Sequence, residues 1–374
     1  MTSKKILLVA PHNINLGIDT PIAILDCAPY LRQQGFEVNI CKFPKVPVNK
    51  KYDVIGLSCI GNCAGTIFDQ LGVIKHIYPK TPVIVGGKWT HTMTEEEKSR
   101  LLELEVVVEK GPAELFFTGD DEIHFSKYPA WDNKDFDLLW EGGEALMSSR
   151  GCPYNCNFCN NTEKKISYFP ALRTVKNIEL VLSKAGTVFF VDDVFVANFE
   201  HAKEIYEISK KRKIEIEGRS RFFVHVNFIN EKTIELINLF KPFHVAIGLE
   251  SGSQLILDKM NKKVKLSRMQ EIVPTLAQHT AIHALWLIGY PFETPETLEE
   301  TYLLMKKFKP YIKSNWVSCY APVPNTVGYA MARKTGGTFL PLFNNTRPSF
   351  VPQGLSEEIL ITYRDKMMQL NDIK

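Results

Sequence analysis

The sequence has little of what marks a membrane, secreted or nucleic-acid-binding chain. None of its apolar runs approaches the roughly 20 residues that a bilayer-spanning helix needs. The opening Met-Thr-Ser-Lys-Lys-Ile-Leu-Leu-Val-Ala is too short an apolar run for a signal peptide and reads as a first buried strand. Neither sign of charge is in surplus. The 45 Lys and Arg stand against 42 Asp and Glu, a formal net charge of +3, so charge alone argues for no nucleic-acid or membrane partner. Repeats and low-complexity tracts are lacking too. Cysteine is sparse, eight in 374 residues, yet three of the eight crowd into one short stretch. Free, clustered cysteines without a signal peptide fit a reducing cytoplasm.

What is present is a soluble globular composition, 45% hydrophobic and 23% charged, long enough for two domains. Residues 1–122 alternate short Val- and Ile-rich runs with helical patterns. The predicted strands are Lys5–Ala10, Glu37–Phe43, Val54–Cys59, Pro82–Gly86 and Val106–Glu109. They lack clean alternation, as buried parallel strands do, and imply a doubly wound, flavodoxin-like α/β sheet. Residues 123–143 read as a linker whose Tyr128, Trp131 and Trp140 make docking contacts. From 144 to 330 strand and helix repeat six times, a partial (β/α)6 TIM-like barrel. Its predicted strands are Ala145–Ser149, Val188–Asp192, Glu215–Arg219, His244–Glu250, Ala284–Gly289 and Trp316–Tyr320. Residues 331–374 hold a terminal amphipathic helix over Leu355–Leu370 and, at Gly336–Gln353, a lid or substrate loop.

After the first barrel strand comes Ser149-Arg-Gly-Cys-Pro-Tyr-Asn-Cys-Asn-Phe-Cys-Asn160, which spaces Cys152, Cys156 and Cys159 as CxxxCxxC. Thiolates are soft ligands for iron–sulfur clusters or zinc. Structural zinc wants four ligands, and the nearest histidines, His124 and His201, are far along the chain. A disulfide wants an even count. Three thiolates can hold three irons of a [4Fe–4S] cube and leave the fourth iron open to a substrate.

This loop, with Phe158 just before its last cysteine, resembles the signature of the radical S-adenosylmethionine superfamily. The resemblance implies a [4Fe–4S] cluster on Cys152, Cys156 and Cys159. The open iron would chelate S-adenosylmethionine, and one electron would cleave it to methionine and a 5′-deoxyadenosyl radical. Further stretches resemble the superfamily's cofactor-binding elements. Phe189-Phe-Val-Asp-Asp-Val-Phe195 implies that Asp192 and Asp193 accept from the methionyl ammonium, where otherwise they only end a strand or cap a helix. Glu217-Gly-Arg-Ser-Arg221 implies that Arg219 or Arg221 pairs bidentately with the methionyl carboxylate. Ile247-Gly-Leu-Glu-Ser-Gly252, followed by Lys259-Met-Asn-Lys262, implies that Glu250 and Ser251 bind ribose hydroxyls. Leu285-Trp-Leu-Ile-Gly-Tyr-Pro-Phe-Glu293 implies an adenine-packing turn at Gly289, braced by Glu293. In Ala321-Pro-Val-Pro-Asn-Thr326, Asn325 replaces a familial glycine and can adopt its backbone angles.

The first domain resembles the cobalamin-binding domain that precedes many of these enzymes. Asp53-Val-Ile-Gly-Leu-Ser58 and Pro82-Val-Ile-Val-Gly-Gly87 carry the likeness, with Gly56, Gly86 and Gly87 clearing space for a bulky ligand. The cobalt-ligating pattern DxHxxG is broken: His12 stands in Ala10-Pro-His-Asn-Ile-Asn15 without the Asp and Gly. Trp89 faces a corrin or fills its place, and Cys59 and Cys63 read as packing cysteines.

The implied function is cobalamin-dependent methylation of an unactivated carbon in a small-molecule or natural-product substrate. A flavodoxin- or ferredoxin-type protein would donate electrons. One alternative keeps the radical without methyl transfer, giving epimerisation, ring closure or oxidation. Another is a non-enzymatic iron–sulfur sensor, which has no need of ribose or methionine contacts. RNA methylthiotransferases share the barrel but carry extra N-terminal cysteines and an RNA-binding module, so a nucleic-acid substrate is not expected.

Overall fold

The computed structural model describes residues 3–11, 20–59, 64–120, 122–341 and 347–371; His12, Asp121, Cys63 and part of the Gly336–Gln353 loop lie outside them. The chain forms two compact units. One comprises Met1–Ser149 with Ser167–Phe189, the other Arg150–Ile166 with Phe190–Lys374. Among the described residues no helix is long and apolar enough to cross a membrane.

The first unit runs β1 (Lys5–Ala10), α1 (Ile22–Gln33), β2 (Glu37–Lys42), β3 (Val54–Ser58), α2 (Ala64–Ile77), β4 (Val83–Gly86), α3 (Glu95–Glu103), β5 (Val106–Val108), α4 (Ala113–Thr118) and α5 (Asn133–Leu139). Its sheet has the order β2-β1-β3-β4-β5, every pair parallel, which is the flavodoxin-like arrangement. Leu7, Val9, Ile55, Leu57, Val83 and Val85 lie in one buried cluster with Trp89 and Cys59. The strands β1, β3 and β4 read as mostly apolar runs because helices cover both faces of a parallel sheet. Thr94 starts α3 with a capping box, its hydroxyl accepting from Glu97 while the Glu97 carboxylate accepts from the Thr94 N–H.

The unit boundary falls later than residue 144. Residues 123–143 belong to the first unit, as do β6 (Ala145–Leu146), most of the short strands β7 (Ser149–Arg150) and β8 (Ser167–Tyr168), α6 (Ala171–Ala185) and most of β9 (Val188–Phe190). A buried charge pair accounts for this. Asp26 of α1 is wholly buried and pairs with Arg173 of α6. The indole N–H of Trp131 donates to the same carboxylate oxygen at 2.7 Å. The Arg173 guanidinium also donates to the Met147 carbonyl and lies 3.9 Å over the Phe169 ring. The backbone N–H of Trp131 donates to the Asn177 side chain at 2.9 Å. Tyr128 stacks on Tyr30 with centroids 4.6 Å apart.

The second unit continues with α7 (Phe199–Lys211), β10 (Ser220–Val224), α8 (Glu231–Phe240), β11 (His244–Glu250), α9 (Gln254–Lys259), α10 (Leu266–Leu276), β12 (Ile282–Ile288), α11 (Pro295–Phe308), β13 (Ser314–Cys319) and α12 (Val327–Lys334). In this unit β13, β12, β11 and β10 lie side by side in that order, each pair parallel, as in a partial barrel. Thr294 caps α11, with Pro295 at its first turn. Two short strands, β14 (Thr338–Phe339) and β15 (Phe350–Val351), pair antiparallel where a lid was expected. Helix α13 (Glu357–Met368) follows; beyond it Asn371 accepts from the N–H of Asn315 at 2.6 Å and donates to its carbonyl at 3.0 Å.

The third barrel strand is displaced from its predicted place. It is Ser220–Val224, not Glu215–Arg219. Glu217 is held on α7 by Tyr206 (2.9 Å) and Lys210 (2.8 Å), and Gly218 turns the chain with φ 72°. The buried alternation begins only at Ser220, Phe222 and Val224.

Candidate active site at the cysteine loop

The cysteine loop is short of internal structure and rich in external ties. Cys152 N–H donates to the Glu163 carbonyl (2.9 Å) and Cys159 N–H to the Cys156 carbonyl (3.1 Å). Asn157 binds the turn after α9 twice, through its N–H to Met260 (2.8 Å) and its side-chain amide to Lys259 (2.9 Å). Its own carbonyl accepts from Gly328 N–H in the first turn of α12 (2.7 Å). Asn261 donates to the Asn155 carbonyl (2.7 Å), and Lys164 donates to the carbonyls of Tyr154 and Asn161. Asp193, just past β9, accepts from Gly151 N–H (3.2 Å) and from the Asn161 amide (2.9 Å).

The thiols sit in a setting suited to an iron–sulfur cube. Asn161 N–H points at Cys159 Sγ at 3.4 Å, and the Tyr154 backbone donates to Cys152. Such N–H···S contacts favour thiolate. Burial raises the Cys152 thiol and pushes Cys156 up to about 11, against the opposing pull of Lys262 on Cys156. A ligated metal overrides that burial cost by deprotonating the thiol. Among the described residues no three His, Cys, Asp or Glu side chains crowd together as the ligands of a single ion do. A cube spreads its thiolates over separate irons. Three thiols, two sulfur-directed N–H groups and a neighbouring cation fit that group.

Around the loop stand residues from the carboxyl ends of the strands. Glu250 ends β11 at φ 63°, past a bulge between Gly248 and Glu250. Its carboxylate accepts from Lys262 Nζ at 2.7 Å. Lys262 is only 6% exposed. A Cβ on Gly248 would lie 3.0 Å from that ammonium and overlap the carboxylate, so glycine there leaves room for the pair as it stands. Phe158 packs beside Ile256, Met260 and Tyr290, with Lys262 Nζ 5.8 Å over its ring. Glu293 is buried and accepts from Gly289 N–H (2.6 Å) and Tyr290 N–H (3.2 Å), holding the turn after β12. Burial pushes its carboxyl up to about 7 against those donors. Asp192 is fully buried at the end of β9.

Other expected site residues fall elsewhere. Ser251 is fully buried; its hydroxyl meets Thr301 (3.2 Å) and accepts from Ser253 N–H (3.1 Å), which ties it into the turn after β11. Arg219 precedes β10 and Arg221 pairs with His244 at the amino ends of the strands, opposite the end where β11 and β12 present Glu250 and Gly289. The place expected for an arginine is held by His225. This side chain, missed in the sequence, stacks on Tyr154 of the cysteine loop with centroids 4.0 Å apart and planes at 14°. Burial, then the Lys262 charge, lowers it to about 3, and its Nδ1 accepts from Asn227 N–H. Lys262 was equally unassigned. In the first unit Gly56 and Gly87 have internal reasons, and Gly86 does not. A Cβ on Gly87 would overlap the Cys59 backbone, one on Gly56 would meet Leu8 at 3.0 Å and Phe117 at 3.3 Å, and Gly86 has only a 3.8 Å neighbour. Trp89 is 2% exposed and edge-on to Phe68 inside the core.

The sequence matches the Radical SAM superfamily over residues 146–305. It is 30% identical over 169 residues to an uncharacterized methyltransferase of Pyrococcus horikoshii, covering 43% of this chain and 36% of that one. It is 27% identical over 240 residues to an anaerobic magnesium-protoporphyrin IX monomethyl ester cyclase of Cereibacter sphaeroides, covering 62% and 39%. The matched regions thus span little more than a third of those relatives. Among solved structures, the radical S-adenosylmethionine methyltransferase TsrM of Kitasatospora setae, with cobalamin and a [4Fe–4S] cluster bound, superposes with TM-score 0.73 at 17% identity, over 98% of this chain and 85% of that one. The cobalamin-dependent radical enzyme OxsB gives TM-score 0.68 at 14% identity, over 89% and 55%. Residues 146–305 thus match the Radical SAM superfamily, and the fold is similar to that of TsrM and OxsB.

Proposed function

We propose that the protein is a cobalamin-dependent radical S-adenosylmethionine enzyme that methylates an unactivated carbon of a small-molecule substrate. The observation that carries this is the cysteine loop, tied at Asn157, Asn155, Gly151 and Asn161 to the barrel unit. Cys152, Cys156 and Cys159 hold the cluster, and Asp193 keeps the two ends of their loop together. Asp192, Glu250 and the Gly289–Glu293 turn stand where S-adenosylmethionine binds, Glu250 with one carboxylate oxygen on Lys262. Bound there, these groups would supply a carbon-centred radical for hydrogen abstraction and, from cobalamin, the methyl group. The methyltransferase relative and the likeness to TsrM support methyl transfer. A small electron carrier of the flavodoxin or ferredoxin type supplies the electron, as befits a cytoplasmic enzyme.

A second reading, radical chemistry without methyl transfer, draws support from the cyclase relative and from the internal packing of Gly56, Gly87 and Trp89. Anaerobic reconstitution with S-adenosylmethionine and hydroxocobalamin separates the two. 5′-Deoxyadenosine together with S-adenosylhomocysteine supports methylation. Deoxyadenosine alone, with no cobalamin retained after desalting, supports the second reading.

A further inference from the structure

We propose that the buried Glu250–Lys262 pair is an oriented dipole that sets the reduction potential of the cluster on Cys152, Cys156 and Cys159, with the ammonium as its active end. The inference rests on the cluster assignment above and concerns residues to which no role has been attached as a pair.

A buried lysine is costly unless paired, and Lys262 is paired. The side chains of Lys262 and Glu250 are 8% and 13% exposed, and their atoms meet at 2.7 Å. The backbone is shaped around them. Glu250 takes a left-handed conformation, Gly248 lacks the Cβ that would overlap the pair, and Asn261 and Lys263 flank Lys262 at φ 53° and 59°. Such conformations persist only where surrounding structure over-determines them. A pair needed only for stability could be replaced by apolar side chains at little cost.

The direction of the dipole follows from its neighbours. Lys262 lies near Phe158 in the loop, and its turn is bonded to Asn155 and Asn157 on either side of Cys156. The ammonium is the end of the pair set against the loop, 5.8 Å over the ring of Phe158 beside Cys159, while Glu250 meets it from the end of β11. The pair is neutral as a whole, but its positive end faces the cysteine loop. A cluster held there gains negative charge on reduction. The ammonium therefore stabilises the reduced form and the carboxylate destabilises it. In a low-dielectric site such fixed charges act strongly.

The test is a redox titration of reconstituted protein without S-adenosylmethionine, followed by electron resonance. Lys262→Met should lower the potential by at least a tenfold change in the reduction equilibrium, about 59 mV for one electron. Glu250→Gln should raise it, and Lys262→Arg should stay close to the parent. Opposite signs from the two halves of one ion pair are not produced by loss of packing. If Lys262→Met fails to fold by circular dichroism, the Glu250→Gln and Lys262→Arg arms still decide. Unchanged potentials, or shifts of one sign in both partners, overturn the inference. Parent protein that takes up no cluster overturns instead the assignment on which it rests.

Discussion

The carboxylate of Asp193 accepts from the side-chain amide of Asn161 at 2.9 Å while also accepting from the N–H of Gly151. One side chain thus closes the cysteine loop, gripping it before Cys152 and after Cys159. Asp193→Ala should leave a folded protein that retains several-fold less iron after anaerobic reconstitution and desalting. Asp193→Asn keeps an acceptor and should lose less. Full iron content in Asp193→Ala, with weakened S-adenosylmethionine binding, would instead place the carboxylate on the cofactor.

Replacing Cys152, Cys156 and Cys159 together by alanine should abolish the visible absorption and the reduced-state resonance signal of reconstituted protein. Melting should change little, since Cys159 is exposed and the other two are half-buried. A triple variant that still binds a full cluster would remove these residues from the site.

The Asp26–Arg173 pair is a different kind of ion pair, sealed inside the first unit with side chains 0% and 3% exposed. Removing one partner leaves a buried charge alone, which costs about 3–5 kcal/mol. Asp26→Ala should therefore show a markedly lower denaturation midpoint in urea. The double change Asp26→Leu/Arg173→Met should recover much of the loss. Equal midpoints for the single and double variants would contradict this account.

Glu293 predicts a pH dependence of unusual sign for a carboxylate. Its folded pKa, about 7, lies above its ordinary value because burial outweighs the N–H donors of Gly289 and Tyr290 and the Thr297 hydroxyl. Between those values the native state binds more protons than the unfolded state, so stability falls as pH rises through about 7 and then levels. The slope should be worth up to about 3 kcal/mol. Glu293→Gln should flatten it in denaturant titrations from pH 5 to 8. An undiminished slope in the variant would assign it to another group.

Much of the fold was legible because it is written locally. The strands β1, β3 and β4 are short, mostly apolar runs, and the cysteine spacing is itself a local pattern. Asn325 does adopt a glycine-like φ of 65° where Ala321-Pro-Val-Pro-Asn-Thr326 called for it. The failures are tertiary. Glu215-Ile-Glu-Gly-Arg219 alternates like a strand, but Glu217 is claimed by Tyr206 and Lys210 of a helix, which moves the strand onward and carries Arg221 to the wrong end. Ser251 sits in a motif that suggests ribose, and Thr301, fifty residues away, meets its hydroxyl. Lys262 in Lys259-Met-Asn-Lys-Lys263 looks like one more surface charge. Only the folded chain brings Glu250 beside it and withdraws both from water.

Among the described residues, the last strand of the barrel sheet, β13, has no further strand beyond it in the sheet order. An open strand edge invites pairing with another chain. Asn371 answers the backbone of Asn315 with both halves of its amide, accepting from the N–H and donating to the carbonyl, as a neighbouring strand residue would. The side chain thus acts as a one-residue counterfeit strand, and α13 lies against the same β13. The consequence concerns solubility more than catalysis: losing that amide would uncover a hydrogen-bonding template at the margin of the sheet and favour self-association of the protein at the concentrations used to load its cluster.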